Sequence, residues 1–139
     1  MQYYIRMSNT ETSLYKKTPV RELSSKDFKI DGVKAPTLLL KKDGFLMCYA
    51  LWCPHCRNKV NMWSSLAREL KNTDFVIAAL DCVKYKEISR ALGISGIPRI
   101  FYFNKSGKLE DYTQEMTPNA LLNYACDTKN LLCEKHKGR

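Results

Sequence analysis

The stretch Ala50-Leu51-Trp52-Cys53-Pro54-His55-Cys56 decides how the rest of the 139-residue chain is read. Phe45-Leu46-Met47-Cys48-Tyr49-Ala50-Leu51 leads into it, apolar throughout, as expected of a central strand covered on both faces. Beyond it Val60, Trp63, Leu66 and Leu70 recur at helical steps and give one apolar face. Pro54 falls in the first turn of that helix, where its missing N–H had no intrahelical partner. Cys53 is therefore the predicted cap, its sulfur beside unsatisfied N–H groups and the positive end of the helix dipole. A thiolate is stabilised there relative to a thiol. His55, when protonated, adds a second positive group, and Cys56 lies one turn on. The chemistry expected is thiol–disulfide exchange.

Working outward, residues 1–18 are polar without sustained periodicity and read as an N-terminal extension. Residues 20–23 read as a short strand, and Ser24-Ser25-Lys26-Asp27 as a turn or helix cap before Phe28. Residues 29–44 stay untyped, with Pro36 interrupting any helix and Lys42-Asp43-Gly44 a turn. The helix from Pro54 is expected to end near Lys71-Asn72, followed by a buried strand over 74–81. A short helix over 85–92 stops at Gly93. Strands over 100–103 and 108–112 flank the turn Asn104-Lys105-Ser106-Gly107. Thr117-Pro118 opens a last helix with Leu121, Leu122, Ala125 and Cys126 on its apolar face. One βαβ crossover followed by an antiparallel pair builds an α/β domain, a mixed sheet with helices on both faces.

The bulk properties bound the partners. A length of 139 residues suits one domain with short extensions, expected over 19–128, with a basic tail over 129–139. The net charge of +9 is dispersed, which reads as a solvated surface; no nucleic-acid motif accompanies it. Six cysteines are too few for a disulfide scaffold of this length. Residues 1–10 lack a basic n-region followed by an apolar h-region, and no stretch approaches the ~18 apolar residues of a membrane span. A soluble cytoplasmic protein is expected, with no membrane contact.

Trp52-Cys53-Pro54-His55-Cys56, on this strand–helix frame, resembles the active site of the thioredoxin and protein disulfide isomerase superfamily. Gly96-Ile97-Pro98 resembles the cis-proline loop of that family, and Asp81 closes its strand at a spacing similar to that of disulfide isomerases. The resemblance implies a single thioredoxin-like domain. It makes Cys53 the attacking thiol, Cys56 the resolving thiol, and Trp52, Ile97 and Pro98 the surface for a substrate segment. Pro54-His55 matches oxidising relatives, which implies a potential above thioredoxin's ~−270 mV and towards ~−120 mV. Substrates would be cysteines of other proteins held through transient mixed disulfides, with an upstream thiol oxidase or reductase resetting the pair. No cofactor and no metal are implied.

Three residues depart from the family pattern. Met47 stands where a buried Asp or Glu assists proton transfer from the resolving thiol, Cys48 where an aromatic is usual, and Arg99 where threonine is common. Loss of the carboxylate predicts slower resolution by Cys56 unless another group substitutes. A thioredoxin-fold binding or structural module with weak or no turnover is the alternative. A zinc site drawing on Cys133 and His136 is a third reading. Cys48, Cys82 and Cys126 read as small buried hydrophobes, with a Cys126–Cys133 pair as the other possibility. Trp63 reads as core.

Overall fold

The computed structural model describes residues 13–129 and 131. In chain order its strands are β1 (Arg21–Glu22), β2 (Phe28–Lys29), β3 (Thr37–Leu38), β4 (Gly44–Tyr49), β5 (Val76–Asp81), β6 (Arg99–Phe103) and β7 (Leu109–Tyr112). Its α-helices are α1 (Pro54–Asn58), α2 (Val60–Glu69), α3 (Lys86–Ala91) and α4 (Pro118–Asn123). All six residues of β4 are buried, as its unbroken apolar run requires. Around it the sheet is ordered β1-β5-β4-β6-β7, parallel between β4 and β5 and antiparallel between β4 and β6. β2 and β3 form a separate antiparallel pair from the untyped region. No helix among the described residues is long and apolar enough to cross a membrane.

Strand alternation sorts the core into two layers. Phe45, Met47 and Tyr49 face one side, with Trp63, Leu66 and Leu70 of the helical face and Leu121 and Leu122 of α4. Leu46 and Cys48 face the other, with Ile88 of α3 and with Phe28 and Leu38 from the small hairpin. Helices thus cover both faces, as expected. Gly44 lets β4 approach β5 closely, since a Cβ there would lie 2.1 Å from the Val76 carbonyl oxygen. Gly93, at φ +70°, ends the turn after α3 in the left-handed region that glycine adopts freely.

Three details differ from the sequence expectation. The long helix is broken at Lys59, whose N–H reaches Cys56 at 3.1 Å in a tightened last turn of α1; regular bonding resumes with Trp63 N–H to Lys59 at 2.9 Å. The last helix widens into a π-helix over Tyr124–Thr128. That wider turn sets the Tyr124 ring against Tyr112, Tyr102 and Phe45, with centroids 5.1–6.1 Å apart. Finally, Tyr15 lies ahead of the boundary expected at residue 19, yet it is 2 % exposed and meets Tyr49 edge to face at 5.4 Å. An aromatic in a polar stretch carries no periodic signal, so the core begins earlier than the pattern predicts.

Cys126 is a correction. It is buried as expected but disulfide-bonded, so it is not a free thiol filling space. Cys133, the partner weighed for it, lies outside the described residues.

Trp63 is fully buried, and its Nε1–H donates to the Ala78 carbonyl at 2.9 Å. Trp63→Ala should cost about 3–5 kcal/mol, the range for truncating a buried aromatic. A urea titration checks it: the midpoint falls while the slope holds, and a loss under ~1 kcal/mol contradicts this role of Trp63.

Candidate active site

β4 ends at Tyr49, and the chain turns through Leu51 and Trp52, with Cys53 N–H donating to Ala50 at 3.2 Å. Cys53 then takes an extended conformation (φ −80°, ψ 115°) and caps α1, with Pro54 in the first turn. The Cys56 N–H donates to Cys53 Sγ at 3.3 Å. A sulfur therefore does here what Ser or Asp does at other helix starts, and an anionic sulfur would accept that bond more strongly. Arg57 Nε donates to the Leu51 carbonyl at 2.8 Å and pins the turn from the far side. Sequence reading missed this clamp, because only the fold brings Leu51 back over α1.

The two thiols are free and both buried. Cys56 is 1 % exposed, and its pKa is pushed up to about 12, first by burial and then by its hydrogen bond with Cys53. Trp52 is 68 % exposed beside the pair, and Pro54 and His55 are exposed on the same turn. The Ile97–Pro98 peptide is cis. Arg99 pairs with Cys48 across β4 and β6, so antiparallel register puts Pro98 and Ile97 beside the end of β4 that leads to Cys53. Ile97 is partly buried and packs against both core layers. The fold thus gathers Trp52, Cys53, Pro54, His55, Cys56, Ile97 and Pro98 at one end of the sheet.

The departures have structural counterparts. Met47 is fully buried between Ala79 and Ile100 on the face below the cysteines. Arg99 leans on the Phe101 ring and donates from Nε and Nη2 to one Asp111 carboxylate oxygen at 2.9 and 2.6 Å. Cys48 and Cys82 are buried in the opposite layer, where burial pushes the Cys48 thiol up. Asp81 Oδ1 accepts from the N–H groups of Val83 and Lys84, both at 3.0 Å, and caps the turn after β5. Among the described residues no group of three or more His, Cys, Asp or Glu is placed to hold a metal. Cys133 and His136, on which the zinc reading drew, lie outside them.

A polar cluster that the sequence did not disclose lies on the Met47 face. The Tyr49 hydroxyl donates to Glu22 Oε2 at 2.8 Å, and Ser13 Oγ bonds to Oε1. Partial desolvation raises the Glu22 pKa, partly opposed by these two hydrogen bonds. The cluster joins an edge strand to a central one, and no local pattern signals that.

The fold is that of known thioredoxin domains: the J-Trx1 fragment of ERdj5 superposes with a TM-score of 0.70 over 90 % of this chain and 59 % of that one, at 17 % identity. Residues 22–127 match the thioredoxin family, and the chain belongs to it. Among curated relatives, protein disulfide isomerase-like 2-2 of Oryza sativa subsp. japonica is 40 % identical over 73 residues, covering 51 % of this chain and 20 % of that protein. The thioredoxin domain-containing protein 5 homolog of Drosophila melanogaster is 27 % identical over 95 residues, 68 % of this chain and 23 % of that protein. The chain therefore spans about a fifth of the length of these relatives.

The asymmetry of the pair is testable on the reduced protein. Cys56 is a thiol throughout the neutral range and loses its proton only as the pH approaches about 12. Brief iodoacetamide treatment at neutral pH, read by peptide mass spectrometry, should label Cys53 and spare Cys56. Cys56 labelling should rise about tenfold per pH unit as the thiolate fraction grows. Equal labelling of the two at neutral pH contradicts the assignment.

Proposed function

We propose that this chain is a protein thiol–disulfide oxidoreductase cycling between a Cys53–Cys56 dithiol and its disulfide. The observation that carries the reading is the Cys53 sulfur capping α1 on the Cys56 N–H, with the Cys56 thiol buried one turn behind it. In the reducing direction the Cys53 thiolate attacks a substrate disulfide and releases one substrate thiolate, leaving a mixed disulfide. Cys56 loses its proton and attacks the Cys53 sulfur; the second substrate thiolate leaves, and two electrons have passed to the substrate. The oxidising direction is the same path reversed. Trp52, Ile97 and Pro98 form the surface on which a substrate protein's segment would rest. The chemistry needs no cofactor, and an upstream thiol oxidase or reductase resets the pair.

His55 on the exposed turn supports a pair more oxidising than thioredoxin, because a positive group there stabilises the reduced form. The disulfide at Cys126 favours an oxidising compartment over the reducing cytosol expected above. A second reading, a binding module with weak turnover, is favoured by Met47, which puts no carboxyl at that buried place.

Dithiothreitol-driven insulin reduction separates the two readings: turnover lost in Cys53→Ser supports the enzyme, and no turnover by the wild type supports the module. A redox titration should place the pair above ~−270 mV, and His55→Ala should lower its potential by roughly 30 mV or more. A value below thioredoxin's, or no response to His55→Ala, contradicts the oxidising assignment.

A further inference from the structure

Cys48 and Cys82, outside the candidate active site, come together on the other face of the sheet. Cys48 lies on β4 and Cys82 follows β5, and both are buried in the layer of Leu46, Leu80 and Ile88. The register pairs Cys48 with Leu80. The Cys82 N–H donates to the Tyr49 carbonyl at 2.8 Å, which keeps the chain after β5 beside β4. The Cys82 side chain then folds back along β5. Its S–H reaches the carbonyl of Leu80 at 3.8 Å, and Leu80 is the residue that faces Cys48 across the ladder. There the two thiols hydrogen-bond to each other, and the Ser89 side chain from α3 also bonds to the Cys82 sulfur. Both thiols are free. They differ in access: Cys48 is 0 % exposed, whereas Cys82 is 8 % exposed and precedes the exposed Val83. Burial pushes the Cys48 thiol up, while the bond from Cys48 holds the Cys82 thiol below its ordinary range. A nucleophilic sulfur near the surface with a second thiol against it is the arrangement of an oxidisable cysteine and its resolving partner.

We propose that Cys48 and Cys82 form a second redox site, in which a small hydroperoxide oxidises the pair to a disulfide tying β4 to the turn after β5. The site goes beyond the Cys53–Cys56 cycle and does not require it. Its oxidant is set by access, since a sulfur this buried admits a molecule the size of hydrogen peroxide but not another protein's disulfide. The Cys82 thiolate attacks one peroxide oxygen and the O–O bond breaks. Hydroxide leaves and takes up a proton as water, and Cys82 becomes a sulfenic acid. The Cys48 sulfur then attacks the Cys82 sulfur and forms the S–S bond. The sulfenic hydroxyl leaves as a second water with the Cys48 proton. Two electrons have passed from the two thiols to the peroxide, and an external thiol returns them by exchange.

The test uses the full chain carrying Cys53→Ser and Cys56→Ser, so that the active-site sulfurs take no part. The folded protein is treated briefly with hydrogen peroxide, its remaining thiols are alkylated in denaturant, and tryptic peptides are mapped without reductant. The peptide over residues 43–57 should be joined to that over 72–84 through Cys48 and Cys82, and dithiothreitol should separate them. In the same background Cys48→Ala should accumulate a Cys82 sulfenic acid that dimedone captures, while Cys82→Ala should leave Cys48 unoxidised. The wild-type chain, with the link assigned by fragment ions, should show the same Cys48–Cys82 bond and covers the case in which a variant does not fold. The proposal is overturned if both cysteines remain alkylatable after peroxide, if Cys82 joins any other cysteine, or if the link forms only in urea. It is equally overturned if dimedone captures nothing at Cys82, or if Cys48 is oxidised once Cys82 is gone. Failure of insulin reduction by the wild type would count against the Cys53–Cys56 cycle and leave this site standing.

Discussion

One hydrogen bond, from the Cys56 N–H to the Cys53 sulfur, fixes the relation on which the site depends. It needs a helix that starts at Cys53, and that helix needs β4 to end where it does. Burial on both faces holds β4 in register with β5 and β6, so the turn over 50–53 emerges at one defined place. The cap holds both sulfurs in one buried layer behind the exposed Trp52.

That placement has a chemical consequence. Burial and the hydrogen bond with Cys53 push the Cys56 pKa up to about 12, which on the proposed cycle leaves the first attack to Cys53. The same burial makes the second step hard, and Met47 gives it no help. The cluster of Tyr15, Tyr49 and Glu22 sits on the same face, assembled from the N-terminal segment, a central strand and an edge strand. Leu14, Tyr15 and Val20, ahead of β1, thus belong to the core that holds Cys53 and Cys56.

Legibility in the sequence followed the range of the interactions. β4, the cap at Cys53 and the apolar face of α2 are local patterns, and all were readable from spacing. The place of Ile97 and Pro98 was readable only through resemblance, because β6 meets β4 across a long stretch of chain. The Tyr15–Tyr49–Glu22 cluster was invisible, since it exists only once β1, β5 and β4 are side by side. The break at Lys59 carries no proline or glycine to announce it, and the disulfide at Cys126 leaves no periodic trace.

The central claim is that Cys53 attacks and Cys56 resolves, and covalent capture tests it most directly. Cys56→Ser and Cys53→Ser proteins are each exposed to a disulfide-bonded substrate protein, quenched in acid and run without reductant. Cys56→Ser should accumulate a mixed disulfide through Cys53 that dithiothreitol dissolves, while Cys53→Ser should accumulate none. Capture by Cys53→Ser alone, or by neither variant, would contradict the assignment of roles to the two sulfurs.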